Sequence, residues 1–184
     1  MMKQSSISTK ELAVAALLGA LTLVGYYIQI PLGPVPVTLQ TLMVELSAVL
    51  LLPKAALLAM AVHLLLQLLL NGAALFVRPS FGFIIGFMLA AYLASTYFYK
   101  AKKGALHDKK TIVLTVVIAA VIPYLIGLPY MAYILNGVNH MQMPVAKLLR
   151  VGCLLFLPGD LVKVLVASLL AIRILPIARR RLDA

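Results

Sequence analysis

Residues 157–172 read LPGDLVKVLVASLLAI, an apolar stretch whose only charged side chains are Asp160 and Lys163. The next charged residue is Arg173, so this run has the length and composition of most of a membrane-spanning helix. Ionisable groups at membrane depth are costly and are usually functional. An acid and a base one helical turn apart, beside a proline that favours the first turn of a helix, therefore predict a site for a polar ligand.

The composition of the whole chain is that of an integral membrane protein. Of its 184 residues, 64% are hydrophobic and 11% are charged, and the mean hydropathy is +1.07. Soluble domains have about 25% charged residues, so the polar surface here is too small for water. We therefore expect residues 1–184 to form a single all-α transmembrane domain, a compact helical bundle with no second, soluble domain.

The basic residues are unevenly placed along the chain. The net charge is +11, and most lysines and arginines fall near the N-terminus, at Lys54, between residues 100 and 110, and near the C-terminus. This is the positive-inside pattern, which places both termini and the 100–110 loop in the cytoplasm and requires an even number of spans. Basic residues confined to the ends and connections also argue against nucleic acid as a partner.

Six apolar segments fit this charge map. They cover approximately residues 10–30, 38–52, 54–70, 80–99, 111–135 and a last segment that begins between 146 and 158 and ends near 177. The second segment is short for a full span, and three prolines between residues 31 and 36 must end the first helix. A last helix that begins at Pro158 would put Asp160 and Lys163 in the outer half of the bilayer.

A thin series of polar residues runs through the second and third segments: Gln40, Glu45, His63, Gln67 and Asn71. The last three are four residues apart, so they share one helix face, and such a stripe generally points into the protein rather than to lipid. These side chains either line a pocket or tie helices together. Glu45 could pair with a partner subunit or with Lys54.

The other candidate residues also have two interpretations each. Asp160 and Lys163 either pair with each other, or act separately, the carboxylate accepting ligand N–H groups and the ammonium attracting a ligand anion. Arg78, in the outer loop after the third segment, either anchors the chain at the interface or contacts the ligand. The first segment carries small residues at small-xxx-small spacing, which permits close approach of a partner helix: Ala15, Ala16, Gly19 and Ala20.

Catalysis has little support in the sequence. The three histidines, His63, His107 and His140, are scattered, and no Walker-type glycine-rich loop is present. Cys153 is the sole cysteine, so neither an intramolecular disulfide nor a multi-thiolate metal site can form. We expect a protein that is not an enzyme and has no metal site.

Three motifs together resemble the BioY family, the biotin-specific substrate-capture subunits (S components) of energy-coupling factor (ECF) transporters. They are PVPVTLQTL at residues 34–42, PSFGFIIGF at 79–87 and PGDLVK at 158–163. The resemblance implies a six-helix protein of the bacterial plasma membrane that captures biotin in an outward-facing pocket. It also implies docking, through Ala16 and Ala20, on a membrane coupling subunit that carries two cytoplasmic ATPases. Biotin would be the transported ligand, and no cofactor is implied.

The chemistry of biotin suggests a role for each candidate residue. Asp160 and Asn71 would address the ureido group, Lys163 or Arg78 would meet the carboxylate, and aromatic rings would cover the apolar bicycle. The complete predicted binding set is Gln40, Gln67, Asn71, Arg78, Phe81, Phe83, Tyr130, Asp160 and Lys163. Two alternatives stay open: an S component for another small vitamin such as lipoate, and a small homodimeric secondary transporter.

Overall fold

The computed structural model describes residues 7–101 and 108–182, and most of them are helical. The elements, in chain order, are α1 (Thr9–Tyr27), β1 (Gln29–Ile30), β2 (Val37–Thr38), α2 (Gln40–Leu50), α3 (Pro53–Asn71), α4 (Phe81–Lys100), α5 (Lys109–Ala132), α6 (Val145–Leu149) and α7 (Leu157–Leu182). A 3-10 helix, Gly72–Val77, follows α3, and π-helical segments follow α5 (Tyr133–Val138) and α6 (Arg150–Leu154). The expectation of an all-helical membrane protein is confirmed, apart from the two short strands.

Five helical segments of the described part of the chain are long and apolar enough to cross a membrane. They are Thr9–Tyr27, Pro53–Leu75, Phe81–Lys100, Lys109–Val138 and Val145–Ala178. α2 is the shorter apolar helix that the sequence predicted, with eleven residues. His107, and with it most of the basic loop predicted to be cytoplasmic, lies outside the described residues.

Local capping explains where two of the long helices begin. The Ser8 hydroxyl accepts a hydrogen bond from the Glu11 backbone N–H at 3.2 Å, and Glu11 Oε2 accepts one from the Ser8 N–H at 3.2 Å, which makes a capping box at the start of α1. Asp108 caps α5 by accepting from the backbone N–H groups of Lys110 and Thr111, both at 3.3 Å. These hydrogen bonds hold the pKa of Asp108 below its usual value, because they favour the ionised carboxylate.

The proline-rich loop after α1 closes as a small antiparallel hairpin. Gln29 pairs with Thr38 and Ile30 pairs with Val37, which the sequence analysis did not predict. The Leu39 N–H then donates to the Gly25 carbonyl at 3.1 Å, so the chain turns directly from the hairpin into α2. The second strand of the hairpin therefore leads directly into the first turn of α2.

α2 lies in the interior of the bundle. Eight of its eleven residues are buried, and it packs against α1, α3, α4, α5 and α7. Eleven residues span about 16 Å at 1.5 Å per residue, roughly half of a 30 Å hydrocarbon core. A helix this short leaves room inside the bundle, on the side of the hairpin.

The remaining helices enclose this space. α4 and α5 pack closely, since a Cβ on Gly86 would lie 2.7 Å from the Cα of Pro123. The last helical region starts at Val145, continues through the π-helical segment and resumes as α7, with Pro158 and Asp160 in the first turn. Pro158 thus lies in the first turn of the last long helix, one of the starting points that the sequence left open between residues 146 and 158.

Candidate ligand-binding site

A cavity of about 590 Å³, counted with its open mouth, lies between the hairpin and helices α2, α4, α5 and α7. Its lining combines apolar and aromatic side chains with a few polar ones: Tyr26, Val35, Pro36, Val37, Thr38, Gln40, Thr41, Ser80, Phe83, Ile84, Phe87, Pro123, Tyr124, Phe156, Asp160 and Lys163. Such a lining suits a ligand that is largely apolar and has polar ends.

Asp160 and Lys163 form an ion pair at the edge of this cavity. Lys163 Nζ lies 2.5 Å from Asp160 Oδ1, and the two residues are only 6% and 9% exposed. Each has a second partner on another element: Lys163 donates to the Thr38 carbonyl at 3.0 Å, and Asp160 Oδ2 accepts from the Tyr124 hydroxyl. The pair thus links α7 to the hairpin and to α5, and both side chains also reach the cavity.

Gln40 presents its side-chain amide to the cavity in a fixed orientation. Its Oε1 accepts a hydrogen bond from the Thr38 hydroxyl at 2.9 Å, and its Nε2 lies 2.9 Å from His63 Nε2. An amide nitrogen can only donate, so the imidazole nitrogen accepts and the proton of neutral His63 is assigned to Nδ1. His63 is fully buried behind Gln40 and so acts on the cavity through it.

The polar stripe of α3 points into the protein, as the sequence predicted. His63 and Gln67 are fully buried. Asn71 donates from Nδ2 to Gln67 Oε1 at 2.8 Å and to the Gln67 carbonyl at 3.0 Å. The two amides therefore bond to each other along α3, and the structure places both outside the cavity lining.

Arg78 lies one side chain away from the cavity. Its Nη1 donates to the Tyr26 hydroxyl at 2.7 Å, and Tyr26 is part of the lining whereas Arg78 is not. The contact ties the segment that precedes α4 to the end of α1. Arg78 can therefore influence the cavity through the position of Tyr26.

The three predicted aromatic residues occupy two different places. Phe83 lines the cavity, with ring centroids 5.9 Å from Tyr124 and 6.4 Å from Phe156. Phe81 and Tyr130 pack against each other at 5.5 Å outside the lining. The Tyr130 hydroxyl donates to the Phe76 carbonyl, which fixes the 3-10 helix against α5.

Comparison with known sequences decides the family. The sequence profile described as the BioY family matches residues 1–180, nearly the whole chain. The chain belongs to the BioY family. The assignment confirms the resemblance seen in the three motifs.

Similar proteins of the BioY family come from distant organisms. The chain is 34% identical over 177 residues to the biotin transporter BioY of Thermotoga maritima, and this match covers 90% of this chain and 95% of the relative. It is 30% identical over 182 residues to the biotin transporter BioY of Rhizobium etli, covering 89% and 92%. The fold matches a crystal structure of the S-component for biotin from an ECF-type ABC transporter, with a TM-score of 0.79 and 23% identity over 92% of this chain and 94% of that one.

The small residues of α1 in this BioY-family chain divide between two sides of the helix. Ala15 and Gly19 are buried, and a Cβ on Gly19 would lie 2.5 Å from the Ala59 carbonyl oxygen, so this pair packs against α3. Ala16 and Ala20 are exposed. The pair that remains available to another helix is therefore Ala16 and Ala20, and their role in docking stays a prediction.

Several lining residues were not singled out from the sequence. Thr38 and Thr41 lie within the first BioY-family motif, so the motif was a signal that could have found them. Tyr124 and Phe156 lie outside all three motifs, and nothing in the sequence marks them. Of the nine predicted binding residues, the structure brings four to the cavity: Gln40, Phe83, Asp160 and Lys163.

Proposed function

We propose that this chain captures biotin from outside the cell and delivers it across the membrane as the substrate-specific subunit of an ECF-type importer. The observation that carries the proposal is the buried Asp160–Lys163 pair, held by Tyr124 and Thr38 at the edge of a largely apolar cavity. Membership of the BioY family and the names of the relatives support biotin as the ligand.

The lining of the cavity matches the parts of biotin. Asp160 can accept N–H groups of the ureido ring, and the Lys163 ammonium can bind a carboxylate or carbonyl oxygen. Phe83, Tyr124 and Phe156 supply apolar and aromatic surface for the bicycle and the aliphatic chain. Gln40 adds an amide with a fixed orientation. Five further residues stay predicted contacts, since they lie outside the cavity lining and would reach biotin only if the side chains around the cavity rearranged. They are Asn71, Gln67, Arg78, Phe81 and Tyr130.

The membrane topology of the proposal is six helical crossings with both termini in the cytoplasm of a bacterial cell. The five long helical segments would provide five of the crossings, and α2 would provide the remaining one. The other helices enclose α2, so its short length does not expose polar backbone ends to lipid. The exposed pair Ala16 and Ala20 would dock on the membrane coupling subunit. ATP hydrolysis would occur on two separate cytoplasmic subunits, so this chain itself would not be an enzyme.

Isothermal titration calorimetry on the detergent-solubilised protein tests the proposal. We expect one biotin per chain, and affinity losses of roughly 30-fold or more for Asp160→Asn and Lys163→Ala, since truncating one partner of a buried charge pair costs about 2–5 kcal/mol. Lys147→Ala, which removes an exposed cation outside the cavity, is the matched control and should bind like the wild type. Thermal unfolding of each variant separates lost binding from lost folding.

Ligand binding to the same samples, together with uptake into membrane vesicles, decides between the alternatives. A folded wild type that binds lipoate but not biotin would identify a different vitamin. Uptake by the chain alone that collapses with the proton gradient and needs no ATPase would identify a secondary transporter. A folded wild type that binds neither ligand would remove the proposed function.

A further inference from the structure

Glu45 is a buried acid that the proposed site does not use. It lies in the middle of α2 with no exposed surface, and neither carboxyl oxygen has a hydrogen-bond partner among the described residues. Thr41 lies one helical turn before Glu45 and lines the cavity. Its hydroxyl also has no hydrogen-bond partner among the described residues. Glu45 is therefore placed directly behind the wall of the cavity.

Other ionisable groups surround α2. On the packed helices, those that are buried or line the cavity are Glu11 and Tyr26 of α1, His63 of α3, Tyr124 of α5, and Asp160 and Lys163 of α7. The described part of α4 contributes no buried charged side chain, and it contributes one titratable group with a buried oxygen, the hydroxyl of Tyr99. Lys163, Asp160 and Tyr124 are within electrostatic reach of the Glu45 carboxyl, but all three are already bonded to each other or to the hairpin.

These surroundings favour a neutral carboxyl group. An ionised carboxylate in a low-dielectric interior is stable only when it is paired and hydrogen-bonded. Lys163, whose charge acts on Glu45, already neutralises Asp160 at 2.5 Å. An ionised Glu45 would therefore add an uncompensated negative charge beside a site that is otherwise neutral.

We propose that Glu45 holds a proton while the cavity takes an anionic ligand, and that this proton lets the site accept a carboxylate. The inference rests on the proposed function only for the identity of the ligand. Asp160 and Lys163 together carry no net charge, so a bound monoanion brings the buried charge to −1. If Glu45 were ionised, the same complex would carry −2, and repulsion in the low-dielectric interior would weaken binding of the ligand.

The linkage between proton and ligand has a definite sign. Because the protonated form binds the anion more tightly, affinity is constant while Glu45 is protonated and falls as the pH rises through its titration. The steepest possible fall is tenfold per pH unit, since one proton is involved. An uncharged biotin amide should escape this fall, and Glu45→Gln, which is permanently neutral, should abolish it.

Infrared difference spectroscopy of the full chain detects the proton directly, without ligand. The chain contains two glutamates, Glu11 and Glu45, so labelling glutamate with ¹³C at the carboxyl carbon shifts the C=O stretch of any protonated glutamate. We expect a labelled carboxylic-acid band at pH 7 that is lost in Glu45→Gln and kept in the matched control Glu11→Gln. If Glu45→Gln does not fold, the labelled Glu11→Gln variant gives the same assignment, because Glu45 is then the only glutamate in the chain.

Biotin and biotin amide titrations from pH 5.5 to 9 complete the test. We expect Glu45→Gln to bind biotin within threefold of the wild type at pH 7. Loss of the acid band in the wild type should coincide with loss of biotin affinity; affinity that falls while the band persists, or that stays constant while the band is lost, would overturn the inference. Absence of a Glu45 acid band at pH 7, or a folded Glu45→Gln with a 30-fold loss, would overturn the inference. Failure of biotin to bind would remove the proposed function but leave the band to decide the proton.

Discussion

The Asp160–Lys163 pair permits a test that separates its structural role from its role in binding. Its two side chains are 12% and 8% exposed and 2.5 Å apart, so removing one leaves the other charge buried. Asp160→Asn and Lys163→Met should each lower the free energy of unfolding by about 3–5 kcal/mol. The double variant carries no buried charge here, and an asparagine at 160 can still accept from the Tyr124 hydroxyl.

In the double variant one destabilising effect remains, because the Thr38 carbonyl no longer has the Lys163 donor. Leaving this carbonyl unpaired costs about 1–3 kcal/mol of stability. We therefore expect the double variant to be more stable than either single variant, and none of the three to bind biotin tightly. Reversible unfolding in detergent micelles, followed by circular dichroism, measures stability, and calorimetry measures binding. Additive destabilisation would refute the ion pair as a structural unit, and tight biotin binding by the double variant would refute its place in the site.

Three further substitutions test separate contacts. Tyr124→Phe removes the hydroxyl that donates to Asp160 in the ligand-free protein, and because a hydrogen bond to a charged group contributes about 1.5–3 kcal/mol to stability, the free energy of unfolding should fall by about that amount, measured by circular dichroism. Gly19→Ala should destabilise the protein by about 1–3 kcal/mol in thermal unfolding, since its Cβ would lie 2.5 Å from the backbone oxygen of Ala59. By contrast, Ala20→Leu on the exposed side should leave stability unchanged and weaken co-purification with the coupling subunit; unchanged co-purification would contradict the docking prediction.

The sequence predicted those features of the fold that depend on neighbouring residues. The start of α7 was predictable within the range 146–158, where Pro158 favours the first turn of a helix. The short α2 was predictable because prolines precede it and Pro53 follows it within about fifteen residues. The hairpin was not, because its two strands have two residues each, too few for an alternating pattern to be visible.

Contacts between distant residues were beyond sequence reasoning for a physical reason. Lys163 reaches Thr38 across 125 residues of chain and Tyr124 reaches Asp160 across 36. In a membrane protein, lipid-facing and inward-facing positions are both apolar, so periodicity does not reveal which face of α5 meets α7. The same ambiguity explains why the predicted aromatic set mixed Phe83, which lines the cavity, with Phe81 and Tyr130, which do not.

The half-length of α2 is what allows a polar site inside an apolar bundle. A full-length helix at this position would fill the interior, whereas eleven residues cover about 16 Å of a core roughly 30 Å thick. The remaining depth holds the cavity, with the hairpin above it and Gln40 at its wall. Because the neighbouring helices surround α2, its polar beginning bonds to Thr38 and His63 and not to lipid. The long helices exclude lipid while the short one leaves a cavity, so the Asp160–Lys163 pair can remain buried at the edge of that cavity.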